Sequence, residues 1–351
     1  MNCSSSSLDL SLKMDNKTNT TTSPSTTFQL SANEILAWCI GYATVDAFII
    51  VGNTIAIVIF TKSKLLRKRT NYFLLTLSIA DMLVGCVSLP MFIHHVSVMI
   101  DSNVSPLFNN IYLTLDIFTG FASIFALTII ALERLYAVAL PNWHHTTLSS
   151  VYFVLIAVIW FLAGIFGILR MLFSYKYVIG DAFYNSTMAA LFTSLVVICL
   201  AYICIAVKVR WRINEKTKKT IEKNRKLAVT LSIVTLIFVV TWLPFYLLNI
   251  VFRFCKPSNC PHKIDYNVVL FSKFLQYCNS FINPIIYSFK IPDFRVALLR
   301  LFGRNTLSRP SSTWISLKDT RKRSGNLRQE NGNGTENGIF RKRIGSSETE
   351  A

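Results

Sequence analysis

Long apolar segments alternate with short polar ones along most of the chain. Each of the seven longest segments exceeds the ~20 residues that a helix needs to cross the hydrocarbon core of a bilayer. They cover residues 35–61, 71–98, 107–140, 149–172, 183–212, 225–254 and 264–289. The pattern predicts an all-α membrane protein in which seven transmembrane helices form a bundle.

The two ends of the chain are polar. Residues 1–34 are rich in Ser, Thr and Asn and contain no apolar stretch of the kind found in a signal peptide. Residues 303–351 are polar and mixed in charge, a composition that predicts disorder. Sequons for N-glycosylation occur at Asn2, Asn16, Asn19 and Asn103, the last between the second and third spans.

Charged residues are scarce and unevenly distributed. They make up 15% of the chain, whereas a soluble globular protein would carry about 25%. Of the 36 Lys and Arg, 28 lie in the segments 62–69, 208–226 and 290–351 or at Arg134, all on one side of the seven spans. The positive-inside rule therefore places residues 1–34 outside the cell and the C-terminus in the cytoplasm. These loops also explain the net charge of +18, so nucleic acid is not expected as a partner.

Two cysteines, Cys255 and Cys260, flank the sequence KPSN in the predicted outer loop between the last two spans. Because that compartment is oxidising, we predict a disulfide between them. The histidine pairs 94–95 and 144–145 lack further ligands for a metal site, and the sequence contains no nucleophile–base motif. We therefore expect no enzyme activity, no organic cofactor and no metal centre apart from a candidate cation site inside the spans.

Polar side chains inside apolar spans are functional candidates because they are costly to bury in a membrane. Asp81 lies in the second span, and short polar side chains lie at comparable depth in other spans. These are Asn53, Ser123, Asn279, Ser280 and Asn283. The group can form a polar packing network around Asp81 or hold a small cation through oxygen ligands, and the sequence alone leaves both interpretations open.

A second carboxylate, Asp116, interrupts the apolar sequence IYLTLDIFTGFASIF in the third span. An ionised carboxylate in such surroundings is costly unless it is paired. The sequence therefore requires a cation beside Asp116, either from the protein or from a ligand.

Three further features lie at bends or ends of spans. In the sixth span Trp242 precedes Pro244, which places a bulky ring at a predicted pivot. Glu133 and Arg134 are adjacent charges at the predicted cytoplasmic end of the third span. Arg170, near the outer end of the fourth span, could snorkel to the interface.

Taken together, these features resemble a rhodopsin-like (class A) G-protein-coupled receptor. The resemblance covers residues 35–302 and rests on motifs in the family's order along the spans. They are GN at 52–53, LSIAD at 77–81, ER at 133–134, Trp160, Tyr202, TWLPF at 241–245 and NPIIY at 283–287. Residues 291–302 are then similar to the family's short amphipathic eighth helix, which leaves 35–290 as the receptor domain.

The resemblance implies an allosteric sodium ion and a set of signalling residues. The sodium network would consist of Asp81, Ser123, Asn279, Ser280 and Asn283. The residues for coupling and activation would be Glu133, Arg134, Tyr202, Phe238, Trp242 and Tyr287. Within the second set, Arg134 would engage a heterotrimeric G protein. At position 224 this chain has Asn, where the family often has an acidic residue that pairs with this arginine. The replacement predicts higher basal activity.

The predicted ligand pocket contains two signals that conflict. Asp116 matches the family's position that pairs with the ammonium of biogenic amines, and Tyr277 matches the tyrosine that hydrogen-bonds to it. The remaining pocket candidates are Trp242, Phe245, Tyr246 and Asn249. Lys273, however, lies one turn from Tyr277 on the same helix face. It can neutralise Asp116 and repel an ammonium, in which case a zwitterion, an acid or a polar neutral molecule would suit the pocket better.

The sequence thus indicates a plasma-membrane receptor for an extracellular small molecule, with a biogenic-amine-like ligand as the favoured class. An adenosine- or nucleoside-like ligand or a peptide is the alternative, and a transporter is the remote one, since the halves show no repeat. Expected partners are the ligand, a heterotrimeric G protein, receptor kinases, arrestin and membrane lipid.

Overall fold

The structure, a computed structural model, describes residues 30–98, 105–211, 237–252 and 265–303. Helices account for nearly all of them. The first is α1 (Ala32–Lys62), and the second span consists of α2 (Asn71–Leu83), a π-helical turn (Val84–Ser88) and α3 (Leu89–Ser97). The others are α4 (Pro106–Ala139), α5 (Pro141–Thr146), α6 (Ser149–Ser174), α7 (Gly180–Trp211), α8 (Ile237–Phe252), α9 (Tyr266–Lys290) and α10 (Pro292–Leu301).

Five stretches of helix in the described residues are long and apolar enough to cross a membrane. They are Ala32–Lys62, Asn71–Ser97, Pro106–Ala139, Ser149–Ser174 and Gly180–Lys208. α8 is a shorter apolar helix, and α9 has 25 residues with several polar side chains among them. Both ends of α1, α4, α6, α7 and α9 lie within three residues of the predicted spans.

α4 lies at the centre of the helix packing. It contacts α2, α6 and α7, while α1 packs against the second span and α9. Large apolar side chains such as Phe48 and Phe161 remain exposed on the outer faces, as expected where helices meet lipid. The polar residues of the spans therefore point between the helices, and this orientation creates the candidate sites.

Pro90 accounts for the break in the second span. Its ring nitrogen carries no hydrogen, so a carbonyl in the preceding turn loses its helical partner. The helix widens into the π turn Val84–Ser88 directly before it. Ser88 ends this turn, and its hydroxyl lies 2.7 Å from the hydroxyl of Thr119 on α4. The irregular turn is thus attached to the central helix.

Gly85, inside the π turn, allows α1 to approach closely. A Cβ at this position would lie 2.8 Å from Cγ2 of Ile49 and 3.0 Å from Cγ1 of Ile50.

Gly164 on α6 offers a matched control for a substitution at Gly85, because a Cβ there meets nothing within 4 Å. We expect Gly85→Ala to be less stable than Gly164→Ala by about 1–3 kcal/mol, measured by thermal unfolding of the purified receptor. Equal stability of the two variants would show that the helices can separate without cost.

Arg170 on α6 is fully buried, which excludes snorkelling to the interface. Its Nη1 donates to Oγ of Ser174 at 2.5 Å, and Ser174 donates to Oδ1 of Asn110 on α4 at 2.9 Å. The guanidinium carbon lies 5.3 Å from the centre of the Phe173 ring. The arginine therefore helps to join α4 to α6 instead of reaching for lipid headgroups.

Candidate functional site

Asp116 lies on α4 and faces α9, where two side chains donate to its carboxylate. Nζ of Lys273 lies 2.6 Å from Oδ2, and the hydroxyl of Tyr277 donates to Oδ1 at 2.8 Å. The two donors are four residues apart on α9, so they lie on one helix face. Both carboxylate oxygens are therefore engaged by groups of the protein itself.

The Lys273 ammonium also lies near two aromatic rings. Nζ is 4.9 Å from the centre of the Phe245 ring and 5.1 Å from that of Tyr277, distances at which cation–π attraction operates. The side chains of Lys273 and Asp116 are only 10% and 8% exposed. The lysine thus occupies the kind of site, a carboxylate beside aromatic rings, that an ammonium ligand would use.

A partly open cavity lies beside this pair and has about 360 Å³ of space between protein atoms, some of it open to solvent. Its wall is mainly apolar and includes Ile117, Phe121, Met188 and Leu191. The remaining lining comes in part from Asp116, Thr187, Trp242, Phe245 and Gln276. A concave, largely apolar space with a few polar groups is typical of small-molecule sites, which makes this cavity the candidate ligand pocket.

Four predicted pocket residues do not line this cavity. Lys273 and Tyr277 contact Asp116 beside it, and Asn249 and Tyr246 lie elsewhere. Asn249 is buried, but its amide donates to the backbone oxygen of Phe245 in its own helix, 2.8 Å away. Tyr246 is half-buried, and neither residue lines the cavity beside Asp116. Sequence reasoning overlooked Gln276, which does line it, because a single glutamine in a span gives no indication of the direction in which its amide points.

Asp81 is fully buried on α2, and its partners come from two other helices. The hydroxyl of Ser123 donates to Oδ1 at 2.9 Å, and Nδ2 of Asn283 donates to Oδ2 at 2.7 Å. Asn53 is directed elsewhere, since its amide donates to the backbone oxygens of Ile49 and Ser280. The structure thus joins Ser123 and Asn283 to Asp81 by direct hydrogen bonds, and the side chain of Ser280 also interacts with its carboxylate.

Asn279 and Ser280 of that network line a second cavity together with Ser123. Within the described part of the chain, no cationic side chain pairs with Asp81, and its hydrogen-bond donors are neutral. A buried carboxylate without a countercharge, surrounded by hydroxyl and amide oxygens, fits a small hard cation. The residues present therefore suit sodium.

Glu133 and Arg134 at the end of α4 are joined by a third residue. Nε of Arg134 lies 3.4 Å from Oε2 of Glu133, and Nε2 of His144 on α5 lies 2.8 Å from Oε1. The hydroxyl of Tyr152 is 3.4 Å from the same histidine nitrogen. Sequence reasoning did not find His144, because nothing in the sequence indicates that α5 folds back against α4.

The remaining signalling candidates belong to one apolar cluster. It contains Tyr202, Phe238 and Tyr287, with Trp242 packed against it. The ring centres of Phe238 and Trp242 are 5.9 Å apart. Since Trp242 also lines the cavity beside Asp116, these contacts connect the candidate pocket to the interior of the bundle.

Several predictions fall outside the described residues and stay predictions. These are the sequons at Asn2, Asn16, Asn19 and Asn103, the disulfide between Cys255 and Cys260, and the departure at Asn224. The described cysteines, at 39, 86, 199, 204 and 278, are free thiols.

Comparison with known proteins identifies the class. The family model for 7 transmembrane receptors (rhodopsin family) matches residues 52–287. The chain belongs to this family of membrane receptors, whose members are not enzymes, and it is a multi-pass protein of the plasma membrane.

The individual relatives are named as receptors for different ligands. Somatostatin receptor type 5 of Bos taurus is 27% identical over 279 residues, 72% of this chain and 73% of that receptor. Adenosine receptor A3 of Canis lupus familiaris is 27% identical over 295 residues, 74% of this chain and 90% of that receptor. Tyramine receptor 1 of Locusta migratoria is 43% identical, but over 94 residues, 27% of this chain and 19% of that receptor. Similarity therefore gives the receptor class and leaves the ligand to be argued from the pocket.

Proposed function

We propose that this receptor responds to a small extracellular zwitterion, a molecule that carries both an ammonium and a carboxylate, and activates a heterotrimeric G protein. The observation that carries the proposal is the buried contact of 2.6 Å between Lys273 and Asp116. Removing one member of a buried ion pair leaves the other uncompensated at high cost. A zwitterion avoids that cost, because its ammonium can replace Lys273 beside Asp116 while its carboxylate pairs with the displaced lysine.

The test is a cell assay of G-protein activation with panels of amino acids, amines and nucleosides. We expect an amino-acid-like zwitterion to activate wild type, and both Asp116→Asn and Lys273→Ala to weaken its potency at least tenfold. Lys273→Ala should in addition create sensitivity to simple amines, since it frees Asp116. Activation by a zwitterion that is equal in wild type and both variants would contradict the proposal.

The amine-like ligand predicted from the sequence is the second candidate. The contact that favours it is the hydrogen bond from Tyr277 to Asp116, which holds the carboxylate ready for an ammonium. On this alternative, an amine without an acid group activates wild type and loses activity with Asp116→Asn. Because Lys273 must first leave Asp116, such an amine should act more strongly on Lys273→Ala than on wild type.

We further propose that a sodium ion binds at Asp81 and Ser123. Binding to the folded state alone stabilises it by about 1.4 kcal/mol at ten times the dissociation constant. The melting temperature of purified wild type should therefore rise when sodium chloride replaces N-methylglucamine chloride at equal ionic strength, and Asp81→Asn should abolish that rise. Asp46→Asn is the matched control, since it also converts a carboxylate in a span to an amide, and it should keep the sodium response. A sodium response that survives Asp81→Asn would exclude this site.

Orientation and regulation complete the proposal. The distribution of Lys and Arg supports an N-terminus outside and a C-terminus in the cytoplasm.

The tail contains Ser346, Ser347 and Thr349 among acidic residues, and phosphate added there would supply strongly charged acceptors. We therefore infer that receptor kinases modify the tail and that arrestin binds it afterwards. Truncation before residue 303 should abolish ligand-induced arrestin recruitment while leaving G-protein activation intact.

A further inference from the structure

The wall of the candidate pocket includes a glutamine whose side-chain oxygen has no hydrogen-bond partner among the described residues. Gln276 lies on α9 between Lys273 and the predicted sodium network and borders both cavities, as do Asp116, Gly120 and Trp242. The residue is 8% exposed, and its Oε1 accepts no hydrogen bond from any residue that the structure describes. A buried acceptor without a donor destabilises the protein, so a bound molecule that supplies a donor removes that cost.

A matching donor lies in the same walls. Nε1 of Trp242 is buried, and it too has no hydrogen-bond partner among the described residues. Gly120, which also borders both cavities, has no side chain to fill the space beside it, and a Cβ there would lie 3.8 Å from the Trp242 ring. One acceptor and one donor without partners among the described residues thus belong to side chains that line both cavities.

The other polar groups of the first cavity are already engaged. The Asp116 oxygens accept from Lys273 and Tyr277, and the Thr187 hydroxyl donates to the backbone oxygen of Phe183 at 2.8 Å. The rest of the lining is apolar or aromatic. Gln276 and Trp242 are therefore the places in this cavity where a neutral polar group gains most from binding.

We propose that the ligand extends past the Asp116–Lys273 pair and places a neutral hydroxyl or primary amide against Gln276 and Trp242. A hydroxyl has the chemistry to serve both residues, because it can donate to Oε1 of Gln276 and accept from Nε1 of Trp242. This inference rests on the proposed function and makes it more specific: the ligand is a zwitterion with a neutral hydrogen-bonding group at the end remote from its charges. Gln276 is then a residue that determines specificity.

The experiment compares pairs of probes that differ by one hydroxyl. The zwitterionic pairs are L-tyrosine with L-phenylalanine and L-serine with L-alanine, and the amine pair is tyramine with phenethylamine. Binding of each probe to the purified full-length receptor is measured for wild type and Gln276→Met, a change that keeps side-chain length and removes the amide. In wild type the hydroxylated member of at least one pair should bind at least tenfold more tightly, and in Gln276→Met the two members should bind equally.

Gly164→Ala, on the outer face of α6, serves as the control variant and should keep the preference. Where Gln276→Met does not fold, Gln276→Asn replaces it, because the shorter side chain withdraws the amide from the cavity and should also remove the preference. Equal binding of all pairs in wild type overturns the inference, as expected if water satisfies both groups. A preference that persists in the Gln276 variants overturns it as well, and so does failure of every hydroxylated probe to bind.

The outcomes separate this inference from the proposed function. If the amino acids bind and no pair, the amine pair included, shows a preference for the hydroxylated member, the zwitterion proposal stands and the role of Gln276 is contradicted. If tyramine alone binds and its preference over phenethylamine disappears with Gln276→Met, the role of Gln276 stands and the zwitterion proposal falls.

Discussion

Replacing Lys273 by methionine is expected to lower the free energy of unfolding by about 3–5 kcal/mol, because the change leaves a buried carboxylate without its cation. Methionine keeps the length of the apolar stem, so the loss reports the missing charge more than a cavity. Asp116→Asn should cost a similar amount, since it leaves the lysine unpaired. The double variant Asp116→Asn/Lys273→Met removes both charges and should regain most of the lost stability.

A second ion pair, between Lys68 and Asp293, is exposed and serves as the control for the buried pair. Nζ of Lys68 lies 2.5 Å from Oδ2 of Asp293, but the lysine side chain is 66% exposed. Lys68→Met should therefore change stability by less than about 1 kcal/mol. The measurement is thermal unfolding of each purified variant in lipid nanodiscs. If the destabilisation of the double variant at 116 and 273 equals the sum of the single changes, the two residues are not coupled and the buried ion pair does not form.

The second large effect is expected at the predicted cytoplasmic end. His144→Ala should raise signalling in the absence of ligand about tenfold, because Glu133 loses the partner 2.8 Å from its Oε1, and a hydrogen bond to a charged group contributes about 1.5–3 kcal/mol. Glu133 holds Arg134 through its other oxygen at 3.4 Å. A carboxylate that is free to turn holds the arginine less firmly, which favours the arrangement in which Arg134 engages the G protein.

A conservative replacement tests whether the hydrogen bond itself matters. His144→Gln places an amide nitrogen at similar reach and should return basal signalling close to the wild-type level. Thr146→Ala is the control in the same short helix, since its hydroxyl donates only to the backbone oxygen of Trp143, and it should leave basal signalling unchanged. Basal signalling is read from a G-protein dissociation reporter at matched surface expression. The role of the His144–Glu133 hydrogen bond would be excluded if basal signalling stayed high in His144→Gln. It would also be excluded if His144→Ala did not raise basal signalling above the wild-type level.

Much of the architecture could be predicted because membrane helices are recognisable as long apolar segments. The same reasoning correctly placed Lys273 and Tyr277 on one face of α9, since helical periodicity alone decides which residues four apart lie together. It could not decide whether Lys273 reaches Asp116. That contact joins residues 157 positions apart and depends on how α4 and α9 rotate against each other, which local sequence does not encode.

Arg170 and His144 show a second kind of limit. An arginine near the end of a span usually reaches for the interface, yet Arg170 is held in the interior by Ser174, whose hydroxyl donates in turn to Asn110. His144 gains its partner because α5 lies against the end of α4. In both cases a residue of another helix completes the contact, Asn110 of α4 through Ser174 for Arg170 and Glu133 of α4 for His144, and only the packed bundle brings these residues together.

The π turn at Val84–Ser88 changes how this receptor is compared with its relatives. A π turn adds about one residue to a helix, and each added residue rotates the next part of the helix by roughly 100°. Phe92 and His95 consequently point into the bundle, while His94 is exposed. An alignment to a relative with an unbroken second helix must carry a one-residue gap near Gly85; without it, residues 89–97 would be matched to positions on the wrong face.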